Sequence, residues 1–144
     1  MIKWDKSYAV DIPLIDAQHQ KLFEIANELS DLLNAPYLDG DQSFERIMDA
    51  QDKLVDYTKY HFSQEEKLMS HYGYSGVKAH LDEHKEFIQY LDNIDYTKID
   101  KNPREASLDM LKFVTQWIFK HIMKSDFAFK DQIIRAIQEE NASQ

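Results

Sequence analysis

Residues 41 to 72 contain neither glycine nor proline, and the same holds for 14 to 35, 77 to 102 and 104 to 144. The chain's few glycines and prolines sit between these stretches: Pro36 near Gly40, Gly73 near Gly76, and Pro13 and Pro103 alone. Strand-like alternation is absent, and each stretch carries apolar residues at the three-and-four spacing of an amphipathic helix. An all-α fold of long helices joined by short loops follows, which reads as an up-down-up-down four-helix bundle.

The spacing predicts a first helix over about 17 to 34, with Asp16 as N-cap and Leu22, Ala26, Leu29 and Leu33 on one stripe. A second, over about 41 to 70, has Phe44, Ile47, Leu54 and Leu68 inward, with Gln51 and Thr58 as mild interruptions. The third, about 77 to 93, runs through Val77, Leu81, Phe87, Ile88 and Leu91. The fourth opens at Asn102-Pro103-Arg104-Glu105, where a capping Asn, a Pro in the first helical position and a Glu three residues past the cap form a strong start signal. Leu111, Val114, Trp117, Ile118 and Ile122 make its stripe, and an amphipathic piece from about 126 to 140 is a short fifth helix or an extension. The organisation expected is one domain over 1–144, with an N-terminal arm at 1–15, the bundle at 16–140 and frayed residues from Asn141 to Gln144.

Composition narrows the chemistry. The absence of cysteine excludes disulfides, iron–sulfur clusters, thiolate zinc sites and cysteine nucleophiles, so any metal must be bound by nitrogen and oxygen. A net charge of −9, with basic residues scattered among acidic ones, argues against nucleic acid as a partner. No apolar run approaches the ~20 residues of a membrane span, and the N-terminus lacks a basic start before an apolar region. The expectation is a cytoplasmic protein, with a monomer as the default state.

Ionisable residues fall on the apolar stripes of all four helices. His19 lies on the first stripe, His61 and Glu65 on the second, His80 and His84 on the third, and His121 on the fourth. A helix advances about 100° and 1.5 Å per residue, so residues four apart point the same way one turn apart. The pairs His61–Glu65 and His80–His84 can therefore each grip one site twice. A single histidine on an apolar stripe is more often a hydrogen-bonded core residue, but four helices contributing donors together is hard to explain as packing. Chain direction agrees: His19 and the His80–His84 pair lie near the starts of their helices, His61–Glu65 and His121 near the ends of theirs. In an antiparallel bundle these four places share one end.

Asp126 is five residues past His121, which would rotate it about 140° away on a regular helix. Turning it inward demands a local widening, kink or helix end between Ile122 and Asp126; its other reading is a cap for the helix that follows. With Asp126, five imidazoles and two carboxylates are too many for one tetrahedral zinc site and suit two octahedral metals bridged by carboxylates. Spacing alone leaves iron, copper, zinc and nickel open.

Three motifs resemble those of the bacterial hemerythrins (bacteriohemerythrins) from Trp4 to about Phe129. They are Ile15-Asp16-Ala17-Gln18-His19 after an arm with Trp4 and Tyr8, His61-Phe62-Ser63-Gln64-Glu65-Glu66-Lys67-Leu68-Met69, and Trp117-Ile118-Phe119-Lys120-His121-Ile122 leading to Asp126. The His80–His84 pair completes them. The resemblance implies a di-iron centre that binds O2 reversibly, for carriage, storage or delivery to an oxidase or other acceptor protein. It implies one iron on His80, His84 and His121 and the other on His19 and His61, bridged by Glu65, Asp126 and an oxo or hydroxo group. O2 would enter at the vacancy on the two-histidine side, in a dry pocket of Leu22, Phe62, Trp117, Ile118 and Ile122; an ordinary core role for these five is at least as good a reading. Two departures from the family pattern are Asp11 where glycine is frequent, and Ser75 where proline often follows the tyrosine. His71 lies outside the ligand pattern and reads as a surface or capping residue.

Two other classes of function compete. A di-iron oxidase, peroxidase or nitric oxide reductase could use the same bundle, although the Glu-x-x-His motifs of ferritin-like enzymes are absent. A sensing module, in which oxygen or redox state alters a surface seen by a partner, is the other.

Overall fold

The computed structural model describes residues 3–34, 41–94, 97 and 101–143. After a 3-10 turn at Lys6–Tyr8, the chain forms α1 (Pro13–Leu33), α2 (Asp41–Tyr72), α3 (Val77–Asp92) and α4 (Pro103–His121). A π-helical turn at Ile122–Asp126 leads directly into α5 (Phe127–Ala142). The fold is the all-α bundle expected, and no helix among the described residues is long and apolar enough to cross a membrane. The side chain of Phe44 and the breakers Pro36 and Gly40 lie outside the described residues.

The start of α1 differs from the expectation of residue 17. Pro13 occupies the first turn, where its fixed φ and missing N–H are tolerated, and Ile12 is the capping residue. Asp16 is therefore not the N-cap. It sits inside the helix and reaches back to the arm, accepting from Val10 N at 2.8 Å and Asp11 N at 3.1 Å. At the other end α5 runs on to Ala142, so Asn141 is helical rather than frayed.

The start of α4 lies where the signal places it. Asn102 occupies the N-cap position with Pro103 in the first turn, but it makes no side-chain capping bond, and its amide donates instead to Glu105 Oε2 at 2.8 Å. The two polar interruptions of α2 are buried and satisfied: Gln51 Nε2 donates to Ser107 Oγ at 2.8 Å, and Thr58 Oγ1 donates to the Leu54 carbonyl at 2.7 Å.

Two apolar clusters form the core. The larger joins Leu22, Leu29, Leu33, Ile47, Leu54, Phe62, Phe87, Val114 and Ile118; full burial of such a side chain stabilises by about 1.5–3 kcal/mol. The smaller joins Val10, Ile12 and Ile15 to Met69, Phe129 and Ile133, so the arm and α5 close the end of the bundle. Leu22 lies three residues beyond His19 and Ile15 four before it, which puts the histidine between the clusters. The loop before α3 is tied down by Gln132, whose amide donates to the Gly73 carbonyl at 3.3 Å and whose Oε1 accepts from Ser75 Oγ at 3.0 Å. Ser75 thus secures this loop where the resemblance led one to expect proline. His71 is exposed on the surface, 3.6 Å from Glu140.

Candidate metal centre

His19, His61, Glu65, His80, His84, His121 and Asp126 are all buried, and their polar ends meet in one place. The π turn brings Asp126 in. Closing a turn from i to i+5 adds a residue per turn, so the carboxylate five positions past His121 returns to its face. Asp126 precedes α5 in helical conformation with no side-chain capping bond, which disposes of its reading as a cap.

Each carboxylate divides its oxygens between two groups of imidazoles. Glu65 Oε1 lies 2.7 Å from His61 Nε2 and 3.3 Å from His19 Nε2. Its Oε2 lies 3.0 Å from His80, 3.2 Å from His84 and 3.9 Å from His121, in each case measured to Nε2. Asp126 repeats the division, with Oδ2 at 2.9 Å from His19 Nε2 and Oδ1 at 3.1 Å and 3.2 Å from His80 and His121. Two donor groups result: Glu65, His80, His84 and His121, and Glu65, His19, His61 and Asp126.

Hydrogen bonding among these groups does not account for the arrangement. Both oxygens of Asp126 are buried with no hydrogen-bond partner in alignment, although imidazole nitrogens surround them. His84 and His121 point Nε2 at one another across 3.0 Å. Adjacent donors around an octahedral cation, at bond lengths of about 2.0–2.1 Å, are roughly 3 Å apart. The donor set, its spacing and the orphaned oxygens of Asp126 all fit metal ions seated between the groups.

Charge agrees with geometry. Burial pulls the pKa of His19 and His80 down, but the Asp126 and Glu65 carboxylates outweigh it and hold both at about 9. His121 is raised well above its ordinary value against the same burial. Burial pushes Glu65 and Asp126 up, as the neighbouring Glu65 charge also does for Asp126; the surrounding imidazoles overcome this and hold both below the usual range. Two fully buried carboxylates cost several kcal/mol each unless matched by positive charge. Protons on the imidazoles or metal ions between them supply it.

The residues expected to line a pocket all belong to the larger core cluster or pack on it. Phe62 stacks on His84 at 3.8 Å and 5°, and Trp117 on His121 at 4.6 Å and 14°. Both rings therefore cover the three-histidine side. Leu22, Ile118 and Ile122 are buried. The sequence reading missed Gln18, Glu66 and Glu83, which touch the outer nitrogens of His61, His84 and His121. Their only signal was adjacency, since each sits one residue from a candidate ligand.

The sequence model of the hemerythrin HHE cation binding domain matches residues 10–133. A bacteriohemerythrin of Clostridium acetobutylicum is 36% identical over 132 residues, covering 91% of this chain and 100% of that protein. A bacteriohemerythrin of Stenotrophomonas maltophilia is 29% identical, covering 92% and 82%, and a myohemerythrin of Theromyzon tessulatum 26% identical, covering 91% and 92%. The crystal structure of a wild-type hemerythrin superposes with a TM-score of 0.74 at 24% identity, covering 92% of this chain and 98% of that one.

Proposed function

Because the chain belongs to the hemerythrin family, we propose that it binds O2 reversibly at a di-iron centre for carriage, storage or delivery to an oxidase or other acceptor protein. In this reading residues 1–144 form one such domain. His80, His84 and His121 would hold one iron and His19 and His61 the other, with Glu65 and Asp126 shared between the two. The observation that carries the reading is the division of both carboxylates between a three-histidine and a two-histidine group. The second group offers one donor fewer, and O2 enters there.

When bound, iron would supply the electrons that O2 takes up on binding and gives back on release. The chain contributes orientation and dryness. Its imidazoles face inward with Nε2, so their lone pairs are free for metal once protons are displaced. His19, Glu65 and Asp126 are fully buried; Leu22, Ile118 and Ile122 would keep water and stray protons from bound oxygen, while Phe62 and Trp117 shield the three-histidine side. Nitrogen-rich ligation supplies less negative charge than a carboxylate-rich set and so stabilises high-valent iron less. That favours return of O2 over its consumption, and a non-enzymatic role.

The test is direct: reduce the protein anaerobically, count iron per chain, admit O2 and then degas. An oxygen-dependent absorption that appears and then vanishes is expected. Continuous O2 consumption with an added reductant would show an oxidase instead. A cytoplasmic monomer belongs to the same proposal and is checked by cell fractionation and light scattering.

A further inference from the structure

The imidazoles that aim Nε2 at the cluster differ in what stands behind them. His121 Nδ1–H donates to Glu83 Oε2 at 2.9 Å, and the same oxygen accepts from Ser125 Oγ. His84 Nδ1 lies 3.3 Å from Glu66 Oε1. Behind the other group no carboxylate stands among the described residues: His61 Nδ1–H donates at 2.6 Å to the neutral amide oxygen of buried Gln18, and His19 Nδ1 is buried without a hydrogen-bond partner among them.

The π turn serves this arrangement as well as the one within. Ser125 and Asp126 both lie in it, so the turn that points Asp126 at the cluster also brings the Ser125 hydroxyl to Glu83 from α3. Trp117 stacks on one face of His121, and the Glu83 bond fixes the ring's remaining rotation. A carboxylate accepting from the outer N–H of a metal-bound imidazole draws that proton outward and enriches the inner nitrogen, which strengthens its bond to a cation.

We propose that Glu83, braced by Ser125, is a positioning residue that sets the donor strength of His121 and makes the three-histidine half the tighter metal position. The proposal rests on the two-iron reading above. Glu83 rims a groove of about 220 Å³ with Glu86, Lys120 and Lys124. Glu83 meets the cluster directly through its hydrogen bond with His121, and that bond is the route proposed for its effect. Glu86 lines the same groove without touching an imidazole in any described contact, which makes it the control.

The test loads the full chain with ferrous iron anaerobically, counts iron, and follows release to a colorimetric ferrous chelator. Two phases are expected from the wild type. Glu83→Gln keeps the shape and loses the charge, and should speed the slower phase by about 10–100-fold, the usual effect of removing such an outer partner. Ser125→Ala should speed it less, and both should leave the faster phase alone. Glu86→Gln should leave both phases as they are. In spectroelectrochemical titration Glu83→Gln should also raise the midpoint potential, because the carboxylate favours the more positive, oxidised ion. A slower phase unaltered in Glu83→Gln, or speeded equally by Glu86→Gln, overturns the role of Glu83. Fewer than two irons per wild-type chain overturns the two-iron reading and this proposal with it.

Discussion

His121 and Asp126 are five residues apart in sequence, yet His121 Nε2 lies 3.2 Å from Asp126 Oδ1. The π turn between them is what permits it. Removing the Asp126 charge should therefore cost metal rather than fold. Asp126→Asn is expected to drop bound iron below two per chain while leaving the helical circular-dichroism signal intact. Full iron loading in this variant would remove Asp126 from the proposed ligand set.

His61 and Ser63 sit two residues apart on α2 and differ in what they face. His61 Nε2 is 2.7 Å from Glu65 Oε1, whereas Ser63 lines an outer groove beside Lys59 and Lys85. His61→Ala should lose one iron or both, and Ser63→Ala should retain wild-type iron by elemental analysis. Equal iron in the two variants would sink the assignment.

Stability should respond to pH differently with and without metal, the two forms parting on the alkaline side. In the metal-free protein His19 and His80 are held at about 9 by Asp126 and Glu65, above the ~6.5 of an unfolded chain. A pKa raised on folding stabilises fully below the unfolded value and loses that contribution as pH climbs through the folded one. Each such shift corresponds to on the order of 3 kcal/mol. Glu65 and Asp126 are depressed, so their contribution is present above the ordinary carboxylate range and lost as acid protonates them. Melting temperature of the metal-free protein should peak between about pH 5 and 6.5 and fall toward both sides. The iron-loaded protein should fall only on the acid side, where protons compete for the Nε2 lone pairs. Identical profiles for the two forms would contradict this account.

Asp11 has a φ of +60°, a left-handed conformation that costs most side chains about 1–2 kcal/mol. Aspartate tolerates it better than most, and Asp16 secures the backbone by accepting from both Val10 and Asp11. Asp11→Gly should be neutral or stabilise, and Asp11→Ala should destabilise, with about 1 kcal/mol between them. Asp16→Ala should cost about 1–3 kcal/mol by leaving those two N–H groups without their acceptor. Denaturant melts of the three variants decide it, and equal stability of the glycine and alanine forms would remove the backbone argument.

Much of the bundle and of the convergent cluster was legible in sequence because both rest on periodicity. His61 with Glu65, and His80 with His84, share a face whatever the helices pack against. The spacing from His121 to Asp126 even announced its own misfit, and the π turn lies where a distortion was required. Asp16 misled because a residue of capping type stood before the apolar stripe, while Pro13 had already begun the helix and left the aspartate free to hold the arm. Gln18, Glu66 and Glu83 gave no comparable signal, each being one polar residue among many.

What the sequence determined by itself, then, was which side chains share a helical face and at which end of the bundle they lie, since 100° and 1.5 Å per residue are local properties of the backbone. Only the tertiary structure decided which oxygen of Glu65 and Asp126 faces which imidazoles, and that Glu83 on α3 reaches His121 on α4 while no described residue hydrogen-bonds His19 Nδ1. Those contacts depend on how far each helix is rotated and shifted against its neighbours. Packing of the whole core sets that offset, and no single stretch of chain encodes it.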